Sequence, residues 1–182
     1  SAYGASKLAG DVAIQAAGGA HLIARTSWVY AAKGSNFLRT IARLAGERKE
    51  LRIVADQIGA PTTAQAIASA VAGIVLPNIT TLHDQLMRRG GVVNLVCAGE
   101  TSWHGFATAI VGGLRSRGVT LAVDNIVPIA TADFPTKAVR PGNSRLDLTR
   151  LKAQFGVAMP TWQEALAREL DAYVQLSAPA HA

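Results

Sequence analysis

A predicted helix that runs directly into an apolar strand restricts the fold of this chain more than any other feature. Residues 4–17 are predicted to be helical and to end at Gly18-Gly19, and residues 21–28 follow as a strand that leads into a loop. A helix followed this closely by an apolar strand is typical of parallel α/β sheets. The sequence therefore predicts an α/β protein.

The rest of the chain continues this alternation of helices and short strands. Further strands are predicted at 51–54, 92–96 and 119–128. Further helices are predicted at 36–48, 64–75, 79–88, 103–117, 147–155 and 161–176. Polar residues suited to cap a helix stand before three of them, at Asn36, Thr62-Thr63 and Thr101-Ser102. An irregular segment rich in Pro and Gly spans 131–144.

Tyr3 and Lys7 form the clearest chemical motif. They are four residues apart on the first helix, so their side chains share one helix face. A free tyrosine has a pKa of about 10, and a neighbouring cation favours the phenolate. A tyrosine tuned in this way can protonate a carbonyl oxygen while hydride reaches its carbon. The same spacing also fits an amphipathic helix with two exposed polar residues.

Composition and charge limit the classes of partner that the chain is expected to bind. The 182 residues are 49% hydrophobic and 16% charged, which is typical of a globular protein. Lys and Arg outnumber Asp and Glu by 18 to 12, but the basic residues are scattered and few aromatic residues accompany them. This pattern argues against nucleic-acid binding and favours a phosphate-bearing small molecule as the anionic partner.

Signals for disulfides, metals and membranes are weak in the sequence. The single cysteine, Cys97, excludes an intramolecular disulfide and lies in the apolar run 92–97, where a buried structural thiol is favoured over a nucleophile. The four histidines show no metal-ligand spacing, so we predict no metal site. No apolar run reaches the length of a membrane span, and no signal-peptide pattern is found.

Five stretches carry a more specific signal. They are Tyr-Gly-Ala-Ser-Lys-Leu-Ala-Gly-Asp at 3–11, Arg-Thr-Ser-Trp-Val-Tyr at 25–30, Asn-Phe-Leu-Arg-Thr at 36–40, Asp-Gln-Ile-Gly-Ala-Pro-Thr at 56–62 and Phe-Pro-Thr-Lys-Ala-Val-Arg-Pro-Gly-Asn-Ser-Arg-Leu-Asp at 134–147. Together and in this order they resemble the dTDP-4-dehydrorhamnose reductase family of extended short-chain dehydrogenases/reductases. Tyr-x-x-x-Lys marks the whole superfamily, whereas the Trp-containing strand end at 25–30, the loop at 56–62 and the Arg-Pro-Gly-Asn-Ser part of the last stretch are more specific.

The resemblance implies a fold and a division of the chain. The implied fold is the C-terminal part of an NAD(P)-binding Rossmann fold with a small, mostly helical substrate domain. Residues 1–30 would be a remnant of the dinucleotide-binding domain, made of the active-site helix and the following strand. Residues 31–176 would be the substrate-binding part, interleaved with the last sheet elements, and 177–182 a disordered tail.

The resemblance also implies an activity. The family reduces the 4-keto group of dTDP-4-dehydro-L-rhamnose with NADPH or NADH and forms dTDP-L-rhamnose. Tyr3 and Lys7 match its catalytic pair, which also contacts the cofactor, and Trp28 matches its substrate-contacting Trp. The alternative for Trp28 is a partly buried anchor. A cytoplasmic enzyme, homodimeric at full length, is expected, with no nucleic-acid or membrane partner.

Arg140, Asn143 and Ser144 are the remaining candidates for substrate binding. Together with Arg145 they form a polar cluster in an irregular segment, and paired phosphates favour bidentate Arg donors. A solvated loop, or an Arg that ties the loop to the domain, fits the same residues. The polar pair at 56–57 either shapes the pocket or caps its own loop.

One feature of the family is missing from the sequence. No Gly-rich phosphate loop follows a strand in this chain, whereas the family carries one ahead of its catalytic Tyr. We therefore expect a C-terminal fragment that is inactive alone and whose strand at 21–27 lacks neighbouring strands. A related nucleotide-sugar reductase or epimerase and a non-catalytic regulatory subunit are the alternative functions.

Overall fold

The computed structural model describes residues 1–134, 136, 138 and 140–177 and shows helices packed around short strands. Its helices are α1 (Ala2–Ala17), α2 (Phe37–Glu47), α3 (Ala64–Val75), α4 (Leu82–Arg89), α5 (Trp103–Arg115), α6 (Thr149–Phe155) and α7 (Trp162–Ser177), with 3₁₀ turns at Leu76–Asn78 and Thr131–Asp133. Its strands are β1 (Leu22–Arg25), β2 (Val29–Tyr30), β3 (Glu50–Val54), β4 (Ile58–Gly59), β5 (Thr62–Thr63), β6 (Gly91–Asn94), β7 (Thr101–Ser102) and β8 (Asn125–Ile129).

Two of the predicted segments include residues outside the described ranges. Ser177, placed in the disordered tail at 177–182, closes α7 instead, and the rest of that tail lies outside the described residues. Residues 135, 137 and 139 of the stretch at 134–147 also lie outside them. The division of the chain at 30 and 176 stays a prediction.

The strands associate in pairs. β1 with β6, β2 with β5, and β3 with β8 are parallel, and β4 with β7 is antiparallel. Each parallel pair joins strands that are separated by at least one helix, as in crossover connections of α/β folds. The expectation that the strand at 21–27 lacks neighbouring strands is wrong for one edge, because β6 pairs with β1 along its whole length. Among the described residues no strand pairs with the other edge of β1.

The predicted strand at 119–128 begins later than expected. Its residues pair with β3 only from Asn125 onward. Before that point, Val123 N donates to Ala45 O at 2.9 Å and Asp124 N donates to Lys49 O at 2.7 Å. These backbone groups therefore bind the end of α2 and the turn after it instead of joining the strand ladder.

Helix starts follow the predicted caps. The side chain of Asn36 accepts from Arg39 N at 3.3 Å, and that of Thr63 accepts from Ala66 N at 3.0 Å. Ser102 caps α5 in the same way. Each cap satisfies one of the amide groups that the first helical turn leaves without a partner, so these helix starts are encoded locally.

Two hydrophobic clusters join the elements. The first lies among α2, α5, α7 and β3, with Leu38, Ile41, Leu51, Phe106, Ile110, Leu166 and Leu170 at its centre. The second lies among α3, β6 and α6, with Ala70, Ile74, Val93, Leu95 and Leu151. Cys97 belongs to the first cluster, where burial raises the pKa of its thiol, and the prediction of a buried structural cysteine is confirmed.

Helix α1 differs from the other long helices. None of its residues is buried, and Leu8, Val12 and Ile14 are exposed. Its N-terminus is capped by Ser1, whose side chain accepts from Gly4 N at 3.2 Å. The contact that holds it against β1 is polar: both Arg25 Nε and Nη2 donate to Asp11 Oδ2, at 2.9 and 2.6 Å.

Candidate functional site

The Arg25–Asp11 ion pair fixes where the N-terminal half of α1 lies. The short connection at 18–21 makes α1 antiparallel to β1, and Asp11 meets Arg25 at the carboxyl end of that strand. Lys7 and Tyr3 precede Asp11 by about 6 and about 12 Å along the helix axis, at 1.5 Å per residue. Both therefore extend past the carboxyl end of β1, the side toward which the chain continues to Trp28.

Tyr3 and Lys7 lie on one face of α1, as their spacing predicts. Lys7 Nζ is 5.7 Å from the centroid of the Tyr3 ring, within the range of a cation–π contact. The Tyr3 side chain is exposed, with 73% of its surface accessible. An ammonium beside an accessible phenol gives a ligand hydroxyl or carbonyl two polar groups to bind.

Trp28 has an unusual backbone conformation. Its φ is +51°, and within the described part of the chain it is the one non-glycine residue in the left-handed region. The strand predicted at 21–28 therefore stops at Arg25 and resumes as β2 after Trp28. The Trp28 carbonyl accepts a hydrogen bond from Thr62 N at 3.1 Å, which fixes the turn. A bulky residue adopts this conformation only where the surrounding structure imposes it.

The Trp28 ring is stacked on the ring of Trp103. The two centroids are 3.7 Å apart and the ring planes are 11° from parallel. Phe37 packs against the same Trp103 ring at 4.6 Å, tilted by 48°. Trp28 is half-buried, so it is partly the anchor that the sequence left as an alternative.

Sequence reasoning missed Trp103, which it places only as the first residue of a helix. The available signal was its position directly after the Thr101-Ser102 cap that follows the β6 segment. In the structure, pairing of β4 with β7 sets Gly59 opposite Thr101 and so brings the start of α5 beside Trp28.

A polar chain backs the aromatic pair. Trp103 Nε1 donates to Gln57 Oε1 at 3.2 Å, and Gln57 Nε2 donates to Thr131 Oγ1 at 3.1 Å. Thr131 in turn donates its hydroxyl to Asp56 Oδ1 at 2.6 Å and its backbone N–H to the same carboxylate. These hydrogen bonds from Thr131 hold the pKa of the Asp56 carboxyl below its ordinary value. The pair at 56–57 thus both closes its loop and supports Trp103.

The segment at 142–144 lies against the loop that carries this chain. Ile58 N donates to Gly142 O at 2.9 Å, and Ser144 N donates to Ile58 O at 2.8 Å. Ser27 Oγ approaches Ser144 O at 3.5 Å. The structure therefore brings two predicted substrate residues, Asn143 and Ser144, close to the Ser27-Trp28 turn.

The two arginines of the cluster differ. Arg145 Nε and Nη2 both donate to the Glu100 carboxylate, the latter at 2.9 Å, and these hydrogen bonds lower the pKa of Glu100. Arg145 is thus the arginine that ties the loop to the domain. Arg140 is exposed, and no contact between it and the other predicted site residues is seen within the described part of the chain.

The described residues also bear on metal binding and on membrane crossing. Among the described residues no group of three or more His, Cys, Asp or Glu side chains is arranged to hold a metal ion. Within the same ranges no single helix is long and apolar enough to cross a membrane. Ala64–Asn78 and Leu82–Arg89 meet the length and composition criteria only together, with a bend of 114° between them.

Comparison with known proteins shows what the chain is similar to. Residues 1–175 match the family described as the RmlD substrate binding domain. The dTDP-4-dehydrorhamnose reductase of Burkholderia thailandensis is 48% identical over 169 residues, which cover 91% of this chain and 56% of that protein. The chain thus spans about half the length of the curated relatives it matches.

Solved structures agree with this similarity. The dTDP-4-dehydrorhamnose reductase of Clostridium acetobutylicum superposes with a TM-score of 0.78 at 32% identity, covering 96% of this chain and 56% of that one. The Bacillus anthracis reductase, solved in complex with NADP, gives a TM-score of 0.75 at 32% identity over 93% of this chain and 54% of that one. The predicted fold class, part of an extended short-chain dehydrogenase/reductase Rossmann fold, is confirmed.

Proposed function

The chain belongs to the RmlD substrate-binding-domain family, and on that premise we propose that it supplies the acid–base pair and the sugar-nucleotide pocket of a dTDP-4-dehydrorhamnose reductase. The resemblance seen in its five sequence stretches is thereby confirmed at the level of the family. Reduction of dTDP-4-dehydro-L-rhamnose to dTDP-L-rhamnose with NADPH or NADH is the proposed activity of the whole enzyme. A cytoplasmic location and a homodimer at full length stay predictions.

The strained Trp28 at the carboxyl end of β1 is the observation that carries the proposal. Backbone strain in a bulky residue is retained where it serves a site, and parallel α/β sheets bind ligands beyond the carboxyl ends of their strands. Tyr3 and Lys7 extend past the same end of β1. The stacked indole of Trp28 offers an apolar surface for a sugar at the end of β1 past which the acid–base helix extends.

The cofactor fits one part of this site. Lys7, an exposed cation beside the Tyr3 phenol, can donate hydrogen bonds to a hydroxyl of the nicotinamide ribose. The bound reduced nicotinamide would supply hydride to the carbonyl carbon of the sugar. The sequence shows no Gly-rich loop after a strand, so residues 1–182 account for the ribose end of the dinucleotide and not for its pyrophosphate.

The proton step falls to Tyr3. Its phenol O–H donates to the sugar carbonyl oxygen as that oxygen gains negative charge, which leaves a phenolate on the protein and a hydroxyl on the sugar. The ammonium of Lys7 lies 5.7 Å from the centroid of the Tyr3 ring, so its positive charge is near the group that gives up the proton. A positioned acid of this kind contributes about 10²–10⁴-fold to turnover.

The polar residues near Trp28 suit the nucleotide end of the substrate. Asn143 and Ser144 lie beside the Ser27-Trp28 turn, and Arg140 is an exposed guanidinium in the same segment. Arg140 is the better candidate for a diphosphate, because the Arg145 guanidinium is already occupied by Glu100.

A fusion protein tests the proposed function. The segment of the Burkholderia thailandensis reductase that precedes the matched region is joined ahead of Ser1, and NADPH oxidation is measured with dTDP-4-dehydro-L-rhamnose. We expect turnover by the fusion and a loss of about 10²–10⁴-fold in Tyr3→Phe, with dTDP-sugar affinity retained. Tyr173→Phe, on α7, is the matched control and should leave turnover unchanged.

Two results would contradict this assignment. Unchanged turnover in Tyr3→Phe would remove Tyr3 from the acid role. A fusion that binds dTDP-L-rhamnose but never oxidises NADPH would favour the non-catalytic alternative. The unfused chain provides a further comparison, and we expect it to oxidise no NADPH.

A further inference from the structure

The polar chain Asp56–Thr131–Gln57–Trp103 ends against the ring that is proposed to face the substrate. We propose that this chain positions the Trp28 indole for the sugar nucleotide, with Gln57 and Trp103 as its positioning residues. The inference rests on the proposed role of Trp28 and adds residues that neither the sequence motifs nor the comparisons assign.

The hydrogens along the chain have only one consistent arrangement. A threonine hydroxyl has a single proton, and Thr131 gives it to the Asp56 carboxylate at 2.6 Å, so Thr131 Oγ1 must accept from Gln57 Nε2. The Gln57 amide is then oriented with Oε1 toward Trp103, whose indole N–H can only donate. Gln57 is 8% exposed, so water does not readily offer it a competing orientation.

Two neighbours hold the Trp28 ring: Trp103, at the end of the polar chain, and the backbone at Gly59. Trp103 stacks on it with centroids 3.7 Å apart. Near the Cε2 edge of the indole, a side chain on Gly59 would place its Cβ only 2.7 Å from Cε2, so the absence of a side chain there makes room for the ring. Rotation of Trp28 would therefore require opening the stack or moving the β4 backbone.

The location of the aromatic pair favours positioning over core packing. Trp103 packs against the first cluster, but it and Trp28 are both half-buried, whereas Phe106 and the other centres of that cluster are buried. Trp28 also keeps a left-handed φ of +51°, a conformation that is costly for a bulky side chain. The Trp28 ring is thus partly exposed, its backbone is held in a costly conformation by the hydrogen bond from Thr62 N, and its stacking partner Trp103 is bound by the polar chain. This arrangement suits a ring that presents a surface.

The decisive variant is Gln57→Glu, which keeps the shape of the side chain and changes its polarity. An ionised Glu only accepts, so the single hydroxyl proton of Thr131 could go to the new carboxylate or to Asp56 but not to both, and one link of the polar chain would be lost. We expect the affinity of the purified chain for dTDP-L-rhamnose, measured by titration calorimetry, to fall about tenfold. Gln65→Glu, the same change at an exposed site on α3, should leave it unchanged.

A double-mutant cycle separates positioning from a general loss of stability. In a Trp28→Ala background, Gln57→Glu should cause no further loss of affinity, because the ring it orients is gone. A tenfold loss that persists in that background would overturn the proposal. Trp103→Phe breaks the last link by removing the indole N–H, and Gln57→Glu should likewise add nothing to it.

Circular dichroism of the two indoles needs no ligand, so it tests the positioning of Trp28 separately from the proposed function. The difference spectrum between the wild type and Trp28→Phe isolates the coupling of the Trp28–Trp103 stack. If the wild-type chain binds no dTDP-L-rhamnose, the proposed function fails, and this spectrum alone decides on positioning. If Gln57→Glu loses this coupling signal, the result supports the proposal that the polar chain holds the Trp28 ring. An unchanged signal overturns the proposal.

Discussion

Thr62→Val should destabilise this protein although it alters almost no volume. The Thr62 side chain is fully buried, with 0% of its surface accessible, and its hydroxyl makes two hydrogen bonds. It donates to Ala60 O at 2.9 Å and accepts from Cys97 N at 3.1 Å. Valine has the same shape but can make neither bond, so a buried carbonyl and a buried amide each lose this partner.

The magnitude follows from those two groups. A buried polar group left without a partner costs about 1–3 kcal/mol, so the two groups together should lower the free energy of unfolding by about 2–6 kcal/mol. That is a large share of the about 5–15 kcal/mol that holds a typical domain folded. Thr62→Ser keeps the hydroxyl and loses one methyl group, for which we expect about 1 kcal/mol.

Urea denaturation followed by far-UV circular dichroism measures the effect. The transition midpoint should fall with the slope unchanged, which indicates altered stability and not an altered unfolded state. Thr108→Val, at an exposed position on α5, is the matched control and should change stability by less than about 0.5 kcal/mol. The reasoning is refuted if Thr62→Val is as stable as the wild type or more stable than Thr62→Ser.

Two further predictions concern the loop at 56–62. Gly59→Ala should cost about 1–3 kcal/mol of unfolding free energy, because its Cβ would meet a Trp28 ring held by Trp103. Gly112→Ala has open space around its Cβ and should be neutral or slightly stabilising by the same denaturation assay. Asp56, whose pKa is lowered by Thr131, contributes stability above its ordinary pKa of 3.8 that is lost as the pH falls below it. Asp56→Asn should therefore flatten the acid side of a stability-versus-pH series, and parallel curves would contradict this.

Local chemistry made much of the fold predictable from the sequence. The starts of α2, α3 and α5 are set by Asn36, Thr63 and Ser102, each of which caps an amide three residues ahead. Interactions this short do not depend on the rest of the molecule. The shared face of Tyr3 and Lys7 follows equally from helix geometry.

Predictions failed where contacts distant in sequence decided the outcome. The strand expected from 119 starts at Asn125, because the residues before it bind the end of α2. The strand β1, expected to lack neighbours, pairs with β6 along one edge. Helices α2, α3 and α4 lie between these two strands in the sequence. Hydrophobic pattern locates a strand but does not name its partner, since pairing depends on how the helices between the strands pack.

The amino-acid sequence alone determines the family motifs and the helix starts. It also identifies Trp28 as a candidate site residue. The left-handed backbone of Trp28, its stack on Trp103 and its backing by Gln57 and Thr131 emerge only in the folded chain. The reason is physical: these side chains come from separate segments of the chain, and the pairing of β4 with β7 brings Trp103 beside Trp28. No local propensity specifies a register between strands that are far apart in the chain.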